Sequence, residues 1–166
     1  FAEYVFEQLY QAGQAYDLRL AGGEALNALR IEKGFVHWGS DMAYTESPHQ
    51  IGLDFACDLD KDIAFTGKSA YLARKAQAKG PFLCSIKLQQ PDAMLHHNEP
   101  VLRDGTTVGF VTSGTFSAAQ GSAVGLCLIA PPTEKSGVEA LEKGGYSVLV
   151  EGRTIPAILQ RKAFAR

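Results

Sequence analysis

The sequence predicts an α+β chain in which helices come first and an all-β module follows. Three observations carry that prediction. Apolar residues recur at helical spacing up to about residue 80, short apolar runs replace them after Pro81, and glycine-containing turns separate those runs. With 166 residues the chain suits one domain, or one compact domain with an attached piece.

The helices read as follows. Glu3 to Ala12 places Val5, Phe6, Leu9 and Tyr10 on one helical face, and Gly13 is expected to stop the helix. Gly22 to Ile31 repeats the pattern with Ala25, Leu26 and Leu29, and Gly34 supplies a left-handed stop. Thr66 is expected to cap a third helix running to Lys79, with Gly80 at its end. Between the second and third helices, a stretch rich in turn formers contains an expected strand, Ile51 to Leu59.

The β module reads as short antiparallel strands. Leu83 to Leu88 is the first, and Arg103-Asp104-Gly105 is a hairpin turn with Thr107 to Thr115 as its return strand. Ser122 to Ile129 is a buried run. Tyr146 to Glu151 and Ile155 to Gln160 form a second hairpin around Gly152-Arg153, and Pro156 suggests an edge or a bulge. Such strands imply a small barrel or sandwich.

Composition removes several functions. Sixteen Lys and Arg against 18 Asp and Glu give a formal charge of −2, without the cationic excess needed to coat nucleic acid or an anionic membrane. A hydrophobic content of 46% is too rich for a disordered tail. The longest apolar stretch, near Val124 to Pro132, falls well short of the ~20 residues that span a bilayer. The opening FAEYVFEQLYQAG reads as cut from something longer. Cys57, Cys84 and Cys127 are too far apart for metal-ligand spacing, so they read as buried, reduced thiols of a cytosolic protein.

Chemistry-bearing motifs are sparse. The chain has no G-x-S-x-G, P-loop, H-E-x-x-H or dinucleotide fingerprint, and the glycines at 109, 114, 121 and 125 sit in or beside strands. His96 and His97 are adjacent in a polar loop, where neighbouring side chains diverge, so they read as solvated. The informative segment is Ala25 to Asp41. It puts Glu32 at a helix C-terminus, where the macrodipole disfavours a carboxylate. A compensating partner is therefore expected, and a salt bridge to Arg30, Lys33 or a remote cation is the plain one. Trp38, the single tryptophan, lies between Gly34 and Gly39, and either core packing or a flat ligand accounts for it.

The run ALNALRIEKGFVHWGSDM, followed by SPHQIGLDFACDLDKD and a FTGKSAYLARK helix, resembles the aminomethyltransferase (glycine-cleavage T-protein) family. EPVLRDGTTVGFVTSGTFS, SAVGLCLI and YSVLVEGRTIPAILQRKAF resemble its C-terminal barrel and closing hairpin. Within the family, the K-G and H-W-G variants resemble the branch attached to dimethylglycine and sarcosine dehydrogenases and oxidases. The resemblance implies a remnant of the folate-binding domain over residues 1–80 and an antiparallel β-barrel domain over 81–166.

It also implies a site. Tetrahydrofolate is the implied cofactor, with Glu32 binding the pterin, because a carboxylate accepts the parallel N–H and amino donors of a pterin edge together. Trp38 is placed beside that ligand, Asp41 organises the loop by accepting backbone N–H groups, and Lys61 attracts the folate glutamate tail as a point charge. No catalytic and no metal-binding residue is assigned. The usual glutamate of the T-P-x-E-A-G-L motif is Gln50 here, and the family's catalytic aspartate has no counterpart in the chain.

The implied parent reaction takes a hydride from a small N-methyl amine, dimethylglycine or sarcosine, onto FAD held by another domain of the same protein. The one-carbon unit then passes to tetrahydrofolate as a methylene. Alone, the chain is expected to bind folate poorly and to turn nothing over. A glycine-cleavage T-protein proper, a related sulfonium methyltransferase and a non-catalytic folate-binding or interaction module are the alternatives. The expected location is the cytoplasm, or the mitochondrial matrix in a eukaryote.

Overall fold

The computed structural model describes residues 1–77, 79–133 and 138–165. Helix α1 spans Ala2–Gly13 and winds on through a 3-10 turn, Gln14–Tyr16. The α-helical part ends at Gly13 as expected, but not through a left-handed glycine: its φ is −74°, and the left-handed residue is Asp17 at φ 54°. Gly13 makes room for Leu18, whose Cβ would lie 2.7 Å from a Cβ at that position. The apolar face of α1 is left uncovered, with Tyr4, Val5, Phe6 and Leu9 all exposed.

Helix α2, Gly23–Glu32, ends as its sequence predicts. Gly34 takes φ +72°, Gly34 N donates to Ile31 O and Phe35 N donates to Arg30 O, a Schellman closure. Helix α3 covers Lys68–Gln77, shorter than the predicted 66–79, and residue 78 lies outside the described residues. Thr66 does not cap it directly. Gly67, at φ +91°, separates the two, and Gly67 O receives the N–H of Tyr71.

The expected strand over Ile51 to Leu59 is absent. Those residues form a turn and a 3-10 turn, Asp54–Ala56, because Gly52 is left-handed at φ +76° and Leu53 N bonds back to Pro48 O. Phe55 points out of this segment and is 84% exposed.

Six strands close the barrel: β1 Phe82–Leu88, β2 Pro100–Arg103, β3 Thr106–Ser117, β4 Ser122–Ile129, β5 Tyr146–Val150 and β6 Arg153–Gln160. Their order is β1-β4-β3-β2-β5-β6, antiparallel throughout and closed by β6 on β1. Pro156 is therefore on no edge. It pairs with Ser147, and its carbonyl accepts Gln89 N–H one step past the last β1–β6 pair, Leu88 with Ala157. A residue's nitrogen and carbonyl point to the same side of a strand, so the missing N–H falls where the ladder has already ended.

Two cores result. Inside the barrel, Cys84, Ile86, Val101, Val111, Cys127, Ile129 and Val148 pack with Leu95. Outside it, Leu83, Val124, Leu126 and Leu128 pack against Ile31 and Ile51 of the preceding segment. Strands β1 and β4 are thus covered on both faces, and all eight residues of β4 are buried.

Leu95 enters the barrel core from the 89–99 loop. Gly114 and Gly125 pair across β3 and β4, and a Cβ on Gly114 would sit 2.6 Å from Leu95 Cβ. One on Gly125 would sit 3.3 Å from Leu95 Cδ1. Gly114 and Gly125 thus serve packing against Leu95.

Candidate functional site

Asp41 and Arg30 each make four side-chain hydrogen bonds. Asp41 is 0% exposed and sits where the loop after α2 crosses β3. Its Oδ2 accepts the Arg30 guanidinium and, at 2.9 Å, the backbone N–H of His37. Its Oδ1 accepts the hydroxyls of Thr112 at 2.6 Å and Ser113 at 2.7 Å. Arg30 adds a 2.7 Å bond to Ser113 Oγ and a 2.9 Å bond to Asn27 Oδ1. Asp41 thus accepts one backbone N–H of its own loop, and its other partners reach to the barrel wall.

Consecutive residues of a regular strand face opposite sides, so Thr112 and Ser113 need a special reason to share one acceptor. That reason is a bulge. Val111 pairs with Cys127 and Ser113 with Leu126, which leaves Thr112 as the extra residue and turns both hydroxyls to Asp41. The T-S-G run was visible in the sequence, but nothing local marks Thr112 as the bulged position.

Glu32 closes α2, half-buried, and accepts Ser117 Oγ at 2.5 Å through Oε1. The expected salt bridge does not form. Arg30 is committed to Asp41, Lys33 lines a cavity instead, and no ion pair reaches Glu32 among the described residues. A hydroxyl supplies the compensation the helix end demands, and Oε2 has no hydrogen-bond partner among the described residues. Ser117 in turn accepts Gln120 N–H at 3.1 Å, so its proton points to the carboxylate.

Of the remaining candidates, Trp38 lies in the loop that Asp41 closes and Lys61 in a separate cleft. Trp38 is 62% exposed, so core packing is not its role. Gly39, at φ +94°, and the bond from Gly39 N to Met42 O turn the indole outward while Met42 packs on the outer core. Lys61 is exposed, 3.9 Å from Asp58 Oδ2, and lines a separate cleft of about 300 Å³ with Cys57, Ile63 and Phe65. The largest cavity described, about 410 Å³, lies between Phe35, Ile51, Leu83 and Leu126 with Lys33 and Arg161 at its rim. None of Glu32, Trp38, Asp41 and Lys61 lines it.

Gln50 shows why an amide stands in the motif. Its Oε1 accepts Ser47 N–H at 2.8 Å, as in a capping box, while its Nε2 donates to the carbonyls of Lys79 and Pro81 at 3.1 Å each. A carboxylate would face both carbonyls without a proton. Gln50→Glu is expected to cost about 1 kcal/mol in chemical denaturation.

His97 Nδ1 lies 2.7 Å from Thr112 O, and both His96 and His97 are exposed. Cys84 and Cys127 are buried, and burial pushes the Cys84 thiol up to about 12, whereas Cys57 is only half-buried. Among the described residues, no cluster of three or more His, Cys, Asp or Glu could hold a metal, and no helix is long and apolar enough to cross a membrane.

Residues 1–61 match the GCVT N-terminal domain, and residues 82–165 match the glycine cleavage T-protein C-terminal barrel domain. Among curated relatives, 4-methylaminobutanoate oxidase (formaldehyde-forming) of Paenarthrobacter nicotinovorans is 36% identical over 96% of this chain and 19% of its own length. Mitochondrial dimethylglycine dehydrogenase of Rattus norvegicus is 34% identical over 93% and 17%. An aminomethyltransferase of Rubrobacter xylanophilus is 31% identical over 98% and 40%. The chain thus spans about a fifth of the two amine-oxidising relatives and two fifths of that aminomethyltransferase. The crystal structure of glycine cleavage system aminomethyltransferase T from Bartonella henselae superposes with a TM-score of 0.71 at 20% identity, over 85% of this chain and 38% of that one. With the barrel and the preceding helical segment both matched, the chain belongs to the glycine-cleavage T-protein (aminomethyltransferase) family.

Proposed function

We propose that this chain is the folate-side portion of a larger flavoprotein that oxidises a small N-methyl amine and captures its methyl carbon on tetrahydrofolate. In this reading residues 1–80 belong to the folate-binding domain and 81–166 form the barrel domain behind it. The observation that carries it is Glu32, a carboxylate fixed at a helix end by one hydroxyl, with its second oxygen unengaged among the described residues. That arrangement fits a planar pair of donors, since Oε1 can accept a second bond beside Ser117. Trp38 offers a face for a flat ring, and Lys61 a positive charge for an anionic tail. When bound, tetrahydrofolate supplies the nitrogen that takes the one-carbon unit.

The chain's own part is positional. The Arg30–Asp41–Thr112–Ser113 network ties the α2 segment to the barrel, which holds Glu32 still, and a fixed acceptor replaces a chance encounter. The exposed apolar face of α1 and the separate cleft of Lys61 support the view that another part of the folate domain completes the site. FAD would be held by a further domain. The place of work is the cytoplasm, or the mitochondrial matrix in a eukaryotic cell.

Calorimetric titration of tetrahydrofolate into the chain, with Glu32→Ala alongside, tests the assignment. Weak binding that the substitution abolishes is the expected result, a loss of about tenfold or more for a charged acceptor. Binding that is indifferent to Glu32→Ala would remove the residue from the site.

A second reading has its own support. A relative in Mus musculus, 30% identical over 95% of this chain, is named pyruvate dehydrogenase phosphatase regulatory subunit. A non-catalytic module built on the same barrel is therefore the alternative. The relative named as formaldehyde-forming bears on the capture step, because its product is the free one-carbon unit. An aminomethyltransferase proper is the third reading.

A further inference from the structure

Away from Asp41 and Glu32, a polar cleft of about 220 Å³ opens where the 45–50 loop, the end of α3 and residues 79–80 meet. Thr45, His49, Gln50, Arg74, Gln77 and Lys79 line it. His49 is only 8% exposed, and neither of its ring nitrogens has a hydrogen-bond partner among the described residues. Its ring faces Tyr71 and Phe82 at centroid distances of 6.2 and 6.1 Å, neither of which satisfies a ring nitrogen. A neutral imidazole has one donor and one acceptor, and leaving both unmet inside a protein costs stability.

The charges around the cleft are one-sided. No acid lines it, and neither Arg74 nor Lys79 has a carboxylate partner among the described residues. The nearby acids are engaged elsewhere. Asp54 is taken by Tyr71 and Lys75, and Glu46 by Ala43 N–H and the Thr45 hydroxyl. Basic residues in the last turn of a helix also offset its dipole, which accounts for Lys75 and in part for Arg74. It accounts neither for Lys79, which lies beyond the helix, nor for an orphaned imidazole.

We propose that this cleft is a binding site for a small oxyanion, a carboxylate or a phosphate group. Arg74 supplies a planar fork, Lys79 a point charge, and His49 and Gln77 neutral donors, while the Thr45 hydroxyl proton is held by Glu46. The volume is below that of drug-sized ligand pockets, so it takes one such group and not a whole nucleotide. The assignment is independent of the folate reading, since no residue of that site lines this cleft.

Binding is coupled to the protonation of His49. Burial holds its pKa below the ordinary histidine value; Asp54 pulls it up, while Lys75, Arg74 and Arg161 push it further down. An anion in the cleft opposes those three cations, so binding raises the His49 pKa and a lower pH tightens binding.

The test is calorimetric titration of inorganic phosphate, and separately of glutarate, into the 166-residue chain at constant ionic strength, at about pH 6 and about pH 8. The His49 ring signals are followed by NMR in parallel. Saturable binding of either probe, tighter at the lower pH and weakened about tenfold by Arg74→Gln or by Lys79→Gln, is expected. Both substituted side chains are exposed, and circular dichroism confirms that the variants fold. Preference for phosphate or for glutarate assigns the source of the anion. Absence of saturable binding, binding indifferent to both substitutions, or His49 signals that do not move at saturation would each overturn the proposal.

Discussion

Asp41→Ala is expected to remove about 3–5 kcal/mol of folding stability, read as a lowered urea midpoint at unchanged m-value. The carboxylate is fully buried and answers four donors. Deleting it leaves the Arg30 guanidinium nearly buried without its counter-charge, and two strand hydroxyls without their acceptor. Breaking one side of a buried ion pair costs far more than the pair is worth against a hydrophobic substitute, and that asymmetry sets the size. Thr112→Val removes only one neutral donor and should cost about 1 kcal/mol. Equal losses from the two substitutions would mean that Asp41 is not the hub the geometry describes.

Gly114→Ala should be nearly as damaging, on the order of 3 kcal/mol. The new methyl would fall on Leu95, and the backbone of the 89–99 loop would have to retreat from the barrel core, where Leu95 is 0% exposed. Such a contact is not the far end of a flexible side chain, so no rotamer relieves it. Gly23→Ala is the matched control. A Cβ there meets nothing within 4 Å, and alanine in the first turn of α2 is expected to be neutral or to stabilise by about 0.5 kcal/mol. Thermal unfolding of the two variants side by side separates the cost of this contact from a general effect of losing glycine.

What could be read from the sequence was what the chain settles locally. The stop at Gly34 needs only a left-handed residue after an amphipathic helix, and the turn at Asp104-Gly105 needs only two residues with positive φ. The second hairpin is displaced by one residue, to Glu151-Gly152, since Glu151 tolerates φ 48° and releases Arg153 to begin β6. One miss depends on distant partners as well as on the local turn at Gly52. Ile51 to Leu59 has a strand's composition, but every strand of the closed barrel already has two neighbours and offers no place for a seventh.

The site was legible in residue type and less so in arrangement. Glu32 needed a partner by the helix-end argument, yet that partner is a serine 85 positions away. Asp41 could be read as a loop organiser from its motif, but its contacts to Thr112 and Ser113 depend on a bulge that no local signal announces. The strand glycines at 114 and 125 answer to Leu95, which packs against them from the 89–99 loop.

The two-sided burial of β4 has a consequence for the order in which the protein matures. Ser122–Ile129 is a continuous apolar run, and in isolation such a strand would adhere to another copy of itself. Its outward residues, Val124, Leu126 and Leu128, are shielded by Ile31 and Ile51, which are translated some seventy or more positions earlier. The cover is therefore made before the surface it protects leaves the ribosome. Its inward residues wait longer, because Val148 and Ile155 emerge afterwards. During that interval one face of the sticky strand is guarded and the other is not, which places the nascent chain's exposure to aggregation between the synthesis of β4 and that of β6.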